Sequence, residues 1–420
     1  MTTTGPLRAV AARGTEPPYR TRPLKRSILE HLQRADFKRP LPVGDAAPSF
    51  RCRILAMAMI TSIGLLPCVP PAQGQWAPST ETWRAHPPAA YGFDTVELAT
   101  SIDRASRLAP PLTSLLVARG TTTVAEVYFG HGGPSRGANL KSASKSILSA
   151  LTGIALDQGA LDGLDQPIGE FFPDLLADAP RKQRITIAHL LTQQTGLETT
   201  SFGNYGDWVS SRDWLASALR RPFVDRPGGD MIYSTGTTHI LGTVLARATG
   251  QSLRAYAQTH LFDPMGTRIR SWQQDPLGRY FGGNNLALTP PALLRFGQLY
   301  LNEGRFDGQQ IVPADWIELS WRTYVRDTYH GHQYGFLWFR AQLRGEVVLF
   351  AWGYGGQYLF VVPRLDLVVA CTSSLSTRPP GSDAHNEKIL QLLAESLIPA
   401  ARGPNGFDWW PSSPRPPFGW

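Results

Sequence analysis

Three short stretches carry side chains that can do chemistry together. The first, K-S-A-S-K-S at residues 141–146, sets Ser142 three residues before Lys145, and Leu148, Leu151, Ile154 and Ala155 follow at helical spacing. One helical turn then brings the hydroxyl and the amine onto one face, which suits a nucleophile and its base. Alone the pair is weak: among six lysines, about 0.4 Ser-x-x-Lys pairs arise by chance at average serine usage.

The second stretch, I-Y-S-T-G-T-T at 232–238, stands just before an apolar helical run and presents the Tyr233 hydroxyl at a helix entrance. The third, A-W-G-Y-G-G-Q at 351–357, follows a β-rich run and has enough glycine for a substrate to approach the backbone.

The elements that must position these groups are legible in outline. Residues 114–117 and 122–129 are β-rich and separated by a hairpin signal, Ala118-Arg119-Gly120-Thr121. Helical patterns cover 146–158, 187–194, 208–219, 238–249, 253–261 and 290–302, the last opening on a Thr289 cap followed by Pro290. Strands return at 347–352, 357–362 and 365–372, with a helix at 386–397. The fold class is therefore α+β. The terminal strands share one antiparallel sheet flanked by helices, and a helical subdomain spans about 145–304. A cleft where the two meet is the expected small-molecule site, with Ser142 in it at the first strand-to-helix crossing. Cys371, in L-V-V-A-C-T-S, reads as a buried strand residue.

Taken together the three stretches resemble the serine β-lactamase and penicillin-binding-protein superfamily. The branch is the class C-like one that includes esterases, D-amino-acid-processing peptidases and 6-aminohexanoate-dimer hydrolases. The order S-x-x-K, a Y-x-N-like element and a Gly-rich strand in the K-T-G position is that of the family. Segments 185–197, 248–253, 260–266, 288–302 and 353–357 look familial too, and the resemblance covers about 83–400. It implies Ser142 as acylated nucleophile, Lys145 as its base in neutral form, and Tyr233 as proton shuttle to the leaving group. The N–H of Ser142 and one from the strand at 353–356 would form the oxyanion hole. Aligning Gly353 with the family's glycine makes Tyr354 the second donor, with Gly353, Gly355 and Thr235 around the substrate; the Gly-Tyr-Gly-Gly run can also be registered a residue or two away.

Two departures bear on substrate. Thr235 stands where Y-x-N has asparagine, offering a smaller polar group. The K-T-G lysine is missing, with Ala351 or Trp352 nearby; that cation helps hold a substrate carboxylate in β-lactam and D-Ala-D-Ala processing. The expectation is an esterase or linear amidase. The alternatives are a β-lactamase or D,D-peptidase and, in another class, a penicillin-type binder or sensor that stays acylated, or a pseudoenzyme. Trp352, Trp208, Trp214 and Tyr205 can furnish an apolar cleft wall or serve as ordinary packing. No cofactor or metal is called for: nine histidines occur without ligand-like spacing.

Composition sets the outer bounds. Apolar residues make up 42% of the 420 and charged residues 18%, an ordinary globular balance. The net charge of +8 is concentrated at one end. Residues 1–53 hold eleven Lys/Arg and four Asp/Glu, leaving 30 and 29 elsewhere. The body is near neutral, so the charge does not argue for nucleic acid, and the expected partner is a small-molecule ester or amide. Residues 1–50 read as a disordered or misannotated leader, with one short helical pattern at 27–37. Arg51 and Arg53 then precede an apolar run at 54–66, a proline-rich break and the small residues Ala72 and Gly74. That is the layout of a signal peptide over 51–74, which predicts export to the periplasm or beyond; an uncleaved run would leave a membrane anchor. The hydrolase domain is expected over 76–400 and a Pro/Trp-rich tail over 402–420. With Cys52 and Cys68 flanking the apolar run of the expected signal peptide, Cys371 is left without an internal disulfide partner in the expected mature part.

Overall fold

The computed structural model describes residues 86–108, 111–375 and 382–404. The expected leader over 1–50, the segment 51–74 expected as a signal peptide, and all but the first three residues of the expected tail over 402–420 lie outside the described residues.

After helix α1 (Thr95–Ser106), the predicted hairpin forms from β1 (Leu112–Arg119) and β2 (Thr122–Tyr128). At the other end of the chain, β10 (Phe339–Leu343), β11 (Glu346–Gly353), β12 (Gln357–Val362) and β13 (Leu367–Ser373) form a meander. The two ends meet where β13 pairs antiparallel with β1, Val117 opposite Val369. The spatial order is β2-β1-β13-β12-β11-β10-β9-β8, where β8 is Val325–Arg326 and β9 is Gln333–Tyr334. At that edge β8 and β9 are two residues each, too short to be read from the sequence, whereas β10, F-R-A-Q-L, alternates apolar and polar residues as a half-buried strand does and adds a strand to those expected.

Both faces of the central strands are covered. Every residue of β12 and β13 is buried, so these strands read as unbroken apolar runs rather than alternating ones. Cys371 is among them, buried, with its thiol pushed up to about 12 by that burial. Helix α6 (Pro290–Leu301) lies on one face, and its N-terminus is capped by the Thr289 hydroxyl, which accepts from Ala292 N. Helix α1 and the C-terminal segment 393–402 pack together with β1 from the other side.

Between these ends lies the helical region. Its spine is α2 (Ser144–Asp157) against α5 (Thr235–Thr249), with α3 (Ile187–Leu191) and α4 (Trp214–Arg220) also packed on α5. The single helix expected over 208–219 is two, Tyr205–Ser210 and Trp214–Arg220. Asp213 breaks the run by accepting from Ala216 N as the cap of the second, a competition between side chain and backbone that favours a new start over continuation. A small sheet of β3 (Ala138–Asn139), β5 (Leu286–Leu288) and β4 (Ser271–Trp272) meets the start of α2, where Leu286 N donates to Ser144 Oγ at 3.3 Å, and a two-stranded ribbon of β6 (Arg305–Phe306) and β7 (Gln309–Gln310) follows α6.

Candidate active site

Ser142 sits on a tight turn. The strand β3 hands Leu140 to β5 through Leu140 N and the Leu286 carbonyl at 2.9 Å. Lys141 then takes a left-handed conformation, φ 51°, uncommon for a residue with a side chain. Its N–H is held by Asn139 Oδ1 at 3.0 Å. A single 3-10 turn, Lys141–Ala143, leads into α2, so Ser142 is half-exposed while Lys145 on the first turn of α2 is buried.

The surroundings of Lys145 fix the direction of its amine. Nζ lies 3.1 Å from Ser142 Oγ, 3.0 Å from the Gly283 carbonyl and 3.4 Å from Thr235 Oγ1. Burial pulls the amine down to about 7 from its ordinary 10.5. A neutral amine has two N–H groups and one lone pair. The Gly283 carbonyl can only accept, and Thr235 Oγ1 can accept while it donates to Ser201 Oγ, 3.0 Å away. Both N–H groups are thereby taken, which leaves the lone pair for Ser142.

Tyr233 closes the cluster. Its ring lies 5.0 Å from Lys145 Nζ, and its phenol is near enough to Ser142 to feel that side chain. Burial pushes the phenol up, the neighbouring Ser142 side chain opposes this and the nearby Asp327 charge adds to it, so Tyr233 is held protonated. The sequence had placed all three groups near helix entrances, but not the loop that fixes them. Residues Thr199, Thr200 and Ser201 dock beneath the start of α5. Thr199 Oγ1 donates to the Tyr233 carbonyl at 2.6 Å, Thr200 Oγ1 accepts from Gly236 N at 2.7 Å, and Ser201 Oγ accepts from Thr235 N at 2.9 Å. The Thr200 and Ser201 hydroxyls thereby satisfy N–H groups that the helix's own residues leave open. The only sequence signal was a run of three hydroxyl residues.

The third stretch reaches the site through β11. Strand β11 ends at Gly353, paired with Gln357, and Tyr354-Gly355-Gly356 makes the turn. A Cβ on Gly353 would stand 2.1 Å from the Leu140 carbonyl oxygen and 3.1 Å from Ala143 N, so the strand end touches the Ser142 turn. Tyr354 is the next residue on, half-exposed. The turn is braced from behind: Ser373 Oγ donates to the Gly356 carbonyl at 2.9 Å, and Trp352 Nε1 donates to Asn386 Oδ1 at 3.2 Å. Ala351, two residues before Gly353 and hence on the same strand face, is buried, so an apolar side chain occupies the position after which the lysine is missing.

Of the aromatic residues considered for a cleft wall, Trp208 and Trp214 are buried and pack on each other and on His239. They are core. Tyr205 receives Asn284 Nδ2 on its hydroxyl at 3.4 Å, and Trp352 stands edge-on to His330, ring centres 4.7 Å apart. The sequence did not point to the exposed pair beside Tyr233. Phe202, 6.1 Å from the Tyr233 ring, packs against Tyr329 with ring centres 4.4 Å apart and planes tilted by 41°.

The Beta-lactamase family description matches residues 111–394. The chain belongs to the Beta-lactamase family. A relative within reach is the 6-aminohexanoate-dimer hydrolase of Paenarthrobacter ureafaciens, 26% identical, with 62% of this chain and 72% of the relative covered. Among solved structures, the octameric penicillin-binding protein homologue from Pyrococcus abyssi superposes with a TM-score of 0.58 at 18% identity, covering 73% of this chain and 78% of its own. Simvastatin synthase (LovD) from Aspergillus terreus superposes at 0.57 and 16% identity, covering 72% and 98%. At these identities the structures speak for the fold, and the fold of this Beta-lactamase-family chain is theirs.

Proposed function

We propose that this chain is a serine hydrolase that cleaves an ester or a linear amide through an acyl-enzyme on Ser142. The observation that carries the reading is the accounting at Lys145: a buried amine whose two N–H groups are engaged and whose lone pair is left for the Ser142 hydroxyl.

The steps follow from that arrangement. Ser142 Oγ attacks the substrate carbonyl as its proton passes to Lys145, giving a tetrahedral oxyanion and an ammonium. The N–H groups of Ser142 and Tyr354 hold the oxyanion, each donor being worth about 2.7–4 kcal/mol in such sites. The C–O or C–N bond then breaks, Tyr233 gives its phenolic proton to the departing oxygen or nitrogen, and the Lys145 ammonium restores that proton. Water repeats the sequence in reverse and frees Ser142 and the acid.

Uncharged substrates suit the site best. The family's third-motif lysine is replaced by buried Ala351 or the adjacent Trp352, which removes a cation for a substrate carboxylate and disfavours β-lactams and D-Ala-D-Ala peptides. The relative from P. ureafaciens carries a linear-amide activity in its name, which makes a linear amide the first amide to try. The leader supports export, through Arg51, Arg53 and the apolar run at 54–66; N-terminal sequencing of the mature protein checks it.

Intact-mass spectrometry of the protein mixed with a p-nitrophenyl ester tests the main reading. One acyl adduct should form and decay, and Ser142→Ala should abolish both adduct and turnover. Full turnover by Ser142→Ala would end it.

A further inference from the structure

Behind Lys145 a second set of buried polar groups has no place in the chemistry so far described. His239, on the second turn of α5, is fully buried, and its Nε2 lies 3.2 Å from Asp275 Oδ2, also buried. Asp275 is saturated with donors: Leu277 N and Arg279 N at 2.9 Å on Oδ1, and Arg279 Nε at 2.6 Å with His239 on Oδ2. Arg279 continues outward to Asp213, the cap of α4. Burial would raise the Asp275 carboxyl, but these donors outweigh it and hold it at about 2. An ionised carboxylate accepts only, so His239 Nε2 must carry the proton. The other ring nitrogen, Nδ1, then presents a lone pair, and Gly282 N donates to it at 3.3 Å.

Gly282 is the residue before Gly283, whose carbonyl holds Lys145. The loop here has no slack. Thr238 Oγ1 donates to the Gly282 carbonyl at 3.1 Å, and Gly283 has φ +71° with Thr238 and Lys145 atoms where a Cβ would be. Trp208, Trp214 and Phe281 enclose the imidazole edge-on, with ring centres 5.8–6.1 Å away. The imidazole is neutral: burial lowers it, opposed by Asp275.

We propose that His239, oriented by Asp275, is a positioning residue for Lys145: by accepting the Gly282 N–H it fixes the Gly283 carbonyl, and so aims the amine's lone pair at Ser142. This rests on the reading of Lys145 as base. The bonds run from Arg279 near the surface to the nucleophile without a gap. Through that chain a residue with no contact to Ser142 governs the orientation of its base.

The experiment compares wild type, His239→Gln and His239→Phe on a simple ester from pH 5 to 10. Phenylalanine keeps the aromatic packing and removes both bonds. Its kcat should fall roughly 10- to 100-fold with KM within about threefold, as a misplaced base costs the chemical step and not binding. Its acidic limb should move to higher pH, because a loosened loop admits water to Lys145. Glutamine, which can donate to Asp275 and accept from Gly282, should recover most of the rate. A folded His239→Phe with wild-type kcat and limb would overturn the proposal. Should that variant not fold, ¹⁵N NMR of wild-type histidines, with His239 assigned by its absence in His239→Gln, decides instead. A proton on Nε2 and none on Nδ1 at pH 7 supports the proposal, and the reverse tautomer or an imidazolium overturns it. Ser142→Ala run alongside separates the two levels: if it stays active the base assignment itself fails, and if it is inactive while His239→Phe is normal only the role of His239 does.

Discussion

Gly353 lies against the carbonyl of Leu140 with no room for a side chain: an added Cβ would stand 2.1 Å from that oxygen. This contact joins the last residue of β11 to the turn that carries Ser142, and so sets the gap between the two proposed oxyanion donors. Gly353→Ala should force the strand end away from the turn. We expect kcat to fall by about 10²-fold, the scale of losing one oxyanion donor, with KM little changed. Steady-state kinetics on a p-nitrophenyl ester checks it, and a wild-type kcat would remove Tyr354 from the oxyanion hole.

Lys145 must be neutral to accept the Ser142 proton, and burial brings its amine to about 7. Activity should therefore rise through pH 7 and level above it; a flat profile from 5 to 9 counts against Lys145 as base. Stability should follow the same group. The unfolded chain keeps the lysine proton up to its ordinary 10.5 while the native state releases it near 7. Between those values the unfolded state binds more protons, so stability rises with pH. Urea unfolding at pH 7 and 9 should show that rise in wild type and its loss in Lys145→Met.

How much of this was legible in the chain depends on where the information lies. Ser142 and Lys145 are three apart on one helical turn, and Gln357 to Val362 is a strand because every residue in it is buried; local pattern suffices for both. The pairing of β1 with β13 follows from apolar runs at the two ends needing one shared sheet. The loop at 199–201 and the His239–Asp275 pair are different. Ser201 meets Thr235 and His239 meets Asp275 across more than 30 residues, and no periodicity records such a contact. The helix break at Asp213 is hidden in the sequence because Trp208, Leu215 and Leu219 keep the spacing of one helix, while in the fold Trp208 and Trp214 converge on His239 from two.

Thr235 stands in the asparagine position of its motif, and its hydroxyl accepts one Lys145 N–H and shares a hydrogen bond with the Ser201 hydroxyl. Thr235→Val keeps the shape and removes the oxygen, leaving an N–H of a buried amine unpaired. An unsatisfied buried donor costs about 1–3 kcal/mol, so kcat should drop roughly 10-fold or more. Thr235→Ser, which keeps the hydroxyl, should stay within about threefold of wild type on the same scale. Equal rates in the valine and serine variants would show that Gly283 alone orients the amine.

Phe202 and Tyr329 are 55% and 50% exposed, yet pack against each other as a tilted pair with ring centres 4.4 Å apart, beside the Tyr233 ring. Phe202 holds a left-handed φ of 55°, a conformation a bulky side chain avoids without reason. Since Tyr233 is the proposed proton donor to the leaving group, an aromatic shelf next to it should contact that group and not the acyl chain. Aryl leaving groups should then gain from the shelf. Phe202→Ala is expected to lower kcat/KM for 2-naphthyl acetate about 10-fold, as a stacked pair and its buried area are worth of order 1.5 kcal/mol. Methyl acetate, too small to reach the shelf, should change by less than about twofold, since it forms no such stack. Lengthening the acyl chain at a fixed leaving group should affect wild type and variant alike. Equal losses on both acetates would mean that Phe202 supports Tyr233 and does not select the leaving group.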